Sequence, residues 1–112
     1  MNRAEFLTAV IRLFLAQPGA PARASRNDWA VAQALYARGV DLRDFGHAVR
    51  LATLRRIAGD SLLSVRSLAY YRQVLEQLTT EDRDAGYVRY VDFRYQQLAR
   101  QRALSPPESR GF

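Results

Sequence analysis

From Trp29 to Leu78 the apolar residues return every three or four positions, and no stretch alternates convincingly with period two. That spacing selects helices, because residues at i, i+3, i+4 and i+7 share one face of a 3.6-residue turn. Glycine admits the left-handed conformation that closes a helix, so Gly39 is expected to end one element and Gly59-Asp60 another. The stretch reads as a helix ending at Gly39, a second from Leu42 to about Ile57, and an aromatic helix opening near Ser67. The break before that third helix carries Ser64-Val65-Arg66-Ser67-Leu68-Ala69-Tyr70-Tyr71, and the rest of the chain is organised around it.

The flanking segments follow the same logic. Phe6, Leu7, Val10, Leu13 and Phe14 line one face of a helix over 3–17, which Pro18-Gly19 stops. Residues 18–26 read as a connector, and residues 27–104 as the helical core. Asn27 or Ser25 can cap the next helix, with Trp29, Ala32, Gln33 and Tyr36 as its core line. Asp41 caps the third helix, whose buried stripe is Leu42, Phe45, Val49 and Ala52; Arg43, His47, Arg50 and Leu54 fall elsewhere. Ser64 or Ser67 caps the fourth, with Leu68, Tyr71, Val74, Leu75 and Leu78 on its apolar side. Thr79-Thr80-Glu81-Asp82 reads as a restart, predicting a last helix from about Glu81 to Ala103. Its core stripe is Val88, Val91, Tyr95 and Leu98, with Arg89, Phe93, Gln96 and Arg100 opposite. Ser105-Pro106-Pro107 ends it, and residues 105–112 read as a disordered tail. The expected fold class is all-α: one domain, a compact bundle of about five helices. A chain of 112 residues has room for a single core.

The longest apolar-rich run, Phe6 to Ala16, is broken by Thr8 and Arg12 and is too short to span a bilayer. Arg12 and Glu5 also argue against a secretory leader, so a cytoplasmic location with no membrane partner is expected. The chain has no cysteine, which excludes disulfides and thiolate chemistry. Its single histidine, His47, has no nucleophile–base–orienter set around it, so no catalytic residue is expected and the chain is read as a non-enzyme. Glu81, Asp82 and Asp84 cluster, but acids in a first helical turn are favoured by the helix dipole alone. No metal, no cofactor and no glycine-rich phosphate loop are expected.

Charge carries more information. The net charge is +6, the pI about 10.5, and all 17 basic residues are arginine. A GC-rich genome explains the absence of lysine; it does not explain the excess of positive charge, which favours a polyanionic partner. From Arg50 to Arg72 there are Arg50, Arg55, Arg56, Arg66 and Arg72 against one acid, Asp60. Arg55 and Arg56 close a helix, where cations are favoured. Arg66 and Arg72 lie at a helix start, where they are not. Arg66 beside free amide groups there would make a phosphate cradle. Tyr71 aligns with Leu75 and Leu78, while Tyr70 lies towards the flank; either can stack a base. Phe93 between Arg89 and Arg100 reads equally as a binding strip or as a packing contact with the first helix or a second subunit.

The run Trp29…Gly39-Val40…Ala48-Val49-Arg50…Ser67-Leu68-Ala69-Tyr70-Tyr71 resembles the helical modules of DnaD-like bacterial and phage replication-initiation proteins, and small proteins of mobile elements from GC-rich bacteria. That pattern continues from its tyrosine to an isoleucine and a tryptophan at four-residue steps; here Tyr70 and Val74 match, and Leu78 departs from it. The resemblance implies DNA binding, often of single-stranded or remodelled DNA, and contact with a helicase or its loader. The expectation is a DNA-binding accessory factor in replication or mobile-element maintenance, DNA being favoured over RNA. Its protein partner would be a replicative ATPase, recombinase or nuclease, and it could form a homo-oligomer. The alternatives are a helical protein-interaction adaptor, or a small subunit of a larger nucleoprotein complex.

Overall fold

The computed structural model describes residues 1–59 and 65–104, with side chains as far as Gln101. The expectations for Asp60, Ser64 and residues 105–112 lie outside the described residues. Five helices make up the fold: α1 (Arg3–Leu15), α2 (Arg26–Ala37), α3 (Leu42–Ala58), α4 (Leu68–Glu76) and α5 (Ala85–Leu104), with no strand among the described residues. The expected all-α bundle is what forms. None of the described helices is long and apolar enough to cross a membrane.

Local chemistry sets most of the boundaries. Asn2 and Ser25 each form a reciprocal box with the residue three positions on, Glu5 and Asp28, so side chain and backbone satisfy each other at both helix starts. Asp41 accepts from the Arg43 amide and Ser67 from the Ala69 amide. Gly39, at φ +73°, closes α2 as expected, and the Val40 amide returns to the Leu35 carbonyl. Two boundaries differ from expectation by two residues or more. α1 ends at Leu15 rather than Gln17, and the Gln17 side chain donates back to the Leu13 carbonyl. Thr79 and Asp82 do form a reciprocal box, but it closes only a turn. Asp84 then takes the amides of Gly86 and Tyr87, and α5 begins four residues late.

The main core joins α1 to α4. Phe6, Leu7, Val10, Ile11 and Phe14 meet Val31, Ala32 and Leu35 of α2, and Phe45, Ala48, Val49 and Ala52 of α3. Leu68, Tyr71 and Leu75 of α4 close it, with Val65 beside them. Each large side chain buried here contributes about 1.5–3 kcal/mol. α2 is rolled relative to expectation. Asp28, Val31, Ala32 and Leu35 point inward, while Trp29 and Tyr36 are 39% and 38% exposed and Gln33 faces solvent. The physical reason is Asp28: its carboxylate must lie inside to reach the α4 amide described below, and that fixes the rotation.

α5 forms a second layer on the far side of α3. Among its described side chains only Val91 is fully buried, in a layer where Leu51 of α3 is also buried; Val88, Tyr95 and Leu98 are half-buried. Polar ties supply the rest. Thr53 and Tyr95 both donate to Gln17 Oε1, at 2.8 and 3.1 Å, joining α1, α3 and α5.

Candidate nucleic-acid interface

Helix direction decides which charges meet. Asp28 and Leu68 touch at the starts of α2 and α4, and Arg38 and Glu76 at their ends, so these two helices run side by side in the same direction. α4 runs against α3, with Tyr71 near Arg56 and Glu76 near Asp41 and Asp44. α5 runs along α3: Tyr87 meets His47, Asp92 meets Arg50, and Tyr95 lies by Thr53. α1 runs against α2, bringing Phe6 to Tyr36 at 5.5 Å between ring centroids. One end of the bundle therefore gathers the starts of α2 and α4 with the close of α1, α3 and α5. The opposite end gathers the starts of α1, α3 and α5 with the close of α2 and α4.

The charges divide between these ends. Glu5, Asp41, Asp44, Glu76, Glu81, Asp82 and Asp84 all lie at the second end; among the described acids only Asp28 and Asp92 lie elsewhere. All of that group but Glu81 cap a helix or turn, or meet an arginine. Asp44 pairs with Arg83 at 3.7 Å, Glu76 with Arg38 at 3.0 Å and Asp41 with Arg43 at 3.6 Å. The Thr79 amide holds the Asp82 carboxyl below the usual range, and Arg55 adds to it. The Arg43 amide does the same to Asp41.

The first end is cationic. Asp28 is buried there, and its two oxygens accept from the Ser25 amide at 2.8 Å and the Leu68 amide at 3.0 Å. One carboxylate thus holds two helix starts together. Arg26 and Arg66 stand exposed beside it, with Arg72 half-buried one turn into α4; none of the three has an ion pair among the described residues. Tyr70 is partly exposed, standing edge-on to Tyr71 at 5.2 Å. Burial pushes the Tyr71 hydroxyl above its ordinary pKa, and the nearby Arg56 guanidinium opposes that shift. Arg56, half-buried, thereby joins this group.

The arginines expected to act together are divided. Arg50 crosses to α5, where its Nε lies 3.6 Å from Asp92, and its guanidinium lies over Gly46. Arg55 reaches back along α3 to Asp82 at 3.1 Å. Arg56, Arg66, Arg72 and Tyr70 remain around the start of α4. Arg89, Phe93 and Arg100 are exposed on the outer face of α5, as expected. The phosphate cradle of free amides is not there: Asp28 occupies the Leu68 amide, and Ser67 those of Ala69 and, through its carbonyl, Tyr70. Phosphate at this end would meet guanidinium groups.

Arg26 was missed by sequence reasoning. It is the first residue of α2, the same disfavoured position for a cation that drew attention to Arg66. The signal was present and was lost by starting the helix one residue late. His47 is a packing residue. It is buried, its Nε2–H donates to the Asp82 carbonyl at 2.7 Å, and its ring meets the Tyr87 edge. The carboxyls of Asp82 and Asp84 bind backbone amides, and no group of metal-ligating side chains forms among the described residues. Comparison with protein-family models, curated proteins and solved structures found no match to this chain.

Proposed function

We propose that this protein binds DNA through its arginine-bearing end, without covalent chemistry, as an accessory factor in replication or mobile-element maintenance of the DnaD-like kind. The observation that carries the reading is the separation of charge. Described carboxylates gather at the far end, while Arg26 and Arg66 are exposed, and Arg72 half-buried, around two helix starts locked by Asp28. Arginine grips phosphate through two parallel hydrogen bonds, so three guanidinium groups on one rigid platform suit a sugar-phosphate strand. Tyr70 adds a partly exposed ring beside them. A replicative ATPase, recombinase or nuclease would be the protein it serves.

The test is a fluorescence-polarisation titration of labelled DNA against the wild type and an Arg26→Ala/Arg66→Ala/Arg72→Ala variant. The variant should bind DNA of any sequence at least about tenfold more weakly, with a salt slope shallower by roughly one for each arginine removed. Equal affinities would remove the reading.

A second reading, a protein-interaction adaptor, has its own support in Trp29 and Tyr36, exposed at helical spacing on the outer face of α2. Light scattering before and after nuclease treatment separates the two. An adaptor gives a nuclease-resistant assembly that a Trp29→Ala/Tyr36→Ala variant breaks.

A further inference from the structure

α5 turns its core stripe to α3 and leaves its other side uncovered. On that side Tyr90 and Phe93 are 56% and 57% exposed, more than any other aromatic residue among those described. Such exposure of two neighbouring rings withholds apolar area from the core, and it is not forced by the helix, since Val91 and Tyr95 already supply the buried stripe. Arg89 and Arg100 are exposed on the same side as Phe93, and Arg94 is exposed beyond Tyr90 towards one flank, all three without ion pairs among the described residues. The only carboxylate of α5, Asp92, turns to the flank and pairs with Arg50. Tyr90 is also pre-set: it stacks on Tyr87 at 6.3 Å between centroids and 26° between planes. One face is thereby supported by protein.

We infer that this ridge is a stacking surface for single-stranded DNA, with unpaired bases lying on Phe93 and Tyr90 and the intervening phosphates meeting Arg89, Arg94 and Arg100. The inference rests on the DNA-binding reading above and specifies the form of DNA held. Its physical basis is that a base offers a π-face only when it is out of the duplex, while its phosphates remain charged. From Arg89 to Arg100 the ridge is roughly 16 Å long at 1.5 Å per residue, room for two to three stacked nucleotides. A second copy of this chain fits the surface poorly. Two ridges packed antiparallel would set Arg89 against Arg100, with no acid on either ridge to offset the repulsion.

The experiment compares an oligothymidine of about 20 nucleotides with a duplex of equal length, using the full chain. Wild type should prefer the single strand. A Tyr90→Leu/Phe93→Leu variant keeps apolar area and removes the rings; it should lose about tenfold or more in single-strand affinity and leave duplex affinity unchanged. A Phe93→Trp probe in a Trp29→Phe background should show quenched fluorescence when the oligothymidine binds. Equal single-strand affinity of wild type and the leucine variant overturns the ridge. So does an unquenched probe, a tighter complex with the matching oligouridine, or a wild-type dimer that the leucine variant separates. These outcomes are distinct from failure of the broader reading. If duplex affinity falls on removing Arg26, Arg66 and Arg72 while the leucine variant binds the single strand as wild type does, only the ridge is lost. If no DNA binds at any salt, both are.

Discussion

Among the described residues, the carboxylates at one end of this bundle face solvent, and nearly all of them cap a helix or turn or meet an arginine; at the other end a single described carboxylate, Asp28, is buried and Arg26 and Arg66 are exposed. The two ends solve the same problem, tying helix termini together, with opposite placements of charge. The acidic end uses several exposed contacts, each screened by water and individually weak. The cationic end uses one desolvated group with two backbone partners, which is strong and leaves the surface free for cations. Charge among the described residues is therefore not spread evenly. It is concentrated because acids have been recruited to structural work at one pole.

The comparison can be broken first at Asp28. Asp28→Ala removes the acceptor of two amides and should cost about 3 kcal/mol, since a buried N–H left without a partner costs about 1–3 kcal/mol. Urea unfolding measures it. Asp28→Asn keeps an acceptor oxygen and should cost visibly less. A loss for the alanine variant below about 1 kcal/mol would mean that the starts of α2 and α4 are held by apolar packing alone.

A second, smaller effect lies where α5 begins. His47 donates to the Asp82 carbonyl, and α5 has little buried apolar area to compensate for losing that tie. His47→Ala should destabilise by about 2 kcal/mol, through the lost hydrogen bond and packing. Amide exchange should show the loss confined to the 79–84 turn and the start of α5, with α2 and α4 unaffected.

Acid should probe the acidic end without mutation. Asp82 and Asp41 have folded pKa values held below the ordinary 3.8. A lowered folded pKa means the stabilisation is present above the unfolded value and is lost as pH falls through the folded one. Melting temperature should therefore begin to drop below about pH 4. Exchange of the Thr79 amide should accelerate relative to that expected at each pH as Asp82 is protonated. Asp82→Asn should remove part of this dependence, Asp41 retaining the rest. A melting temperature unchanged down to about pH 2 would place the stability of the acidic end elsewhere.

How far sequence reached depended on how local each contact was. Asp41 and Gly39 act within a few residues of themselves, so their capping roles could be read directly, and Ser67 was one of two candidates for its cap. The outward position of Phe93 followed from the unambiguous stripe Val88, Val91, Tyr95 and Leu98. The roll of α2 could not be read, because it offers two stripes: Trp29 with Tyr36, and Val31 with Leu35. A hydrogen bond to an amide forty residues away chooses between them. The division of the arginines was hidden for the same reason. Arg50 and Arg55 are drawn off by Asp92 and Asp82, and nothing local says that α5 runs along α3. The charge excess was legible, and its polarity was not.

The smallest effect tests whether the poles are independent. Arg38 and Glu76 pair at 3.0 Å, with side chains 59% and 45% exposed, so Arg38→Ala should change stability by about 0.5 kcal/mol or less. It also makes the acidic end more negative. Arg66 stands before the first residue of α4, more than roughly 12 Å from Glu76 at its last, whereas Arg72 is only one turn, about 6 Å, from Glu76. Arg66 is therefore beyond the roughly 8 Å over which charges remain visible at physiological salt, and Arg72 is within it. Duplex affinity should therefore change by no more than about twofold at that salt, through Arg72, and fall further when salt is lowered about tenfold, where screening extends past the length of the helix to Arg66. A large loss at physiological salt would show that DNA contacts both poles, and that the far carboxylates take part in binding rather than stand apart from it.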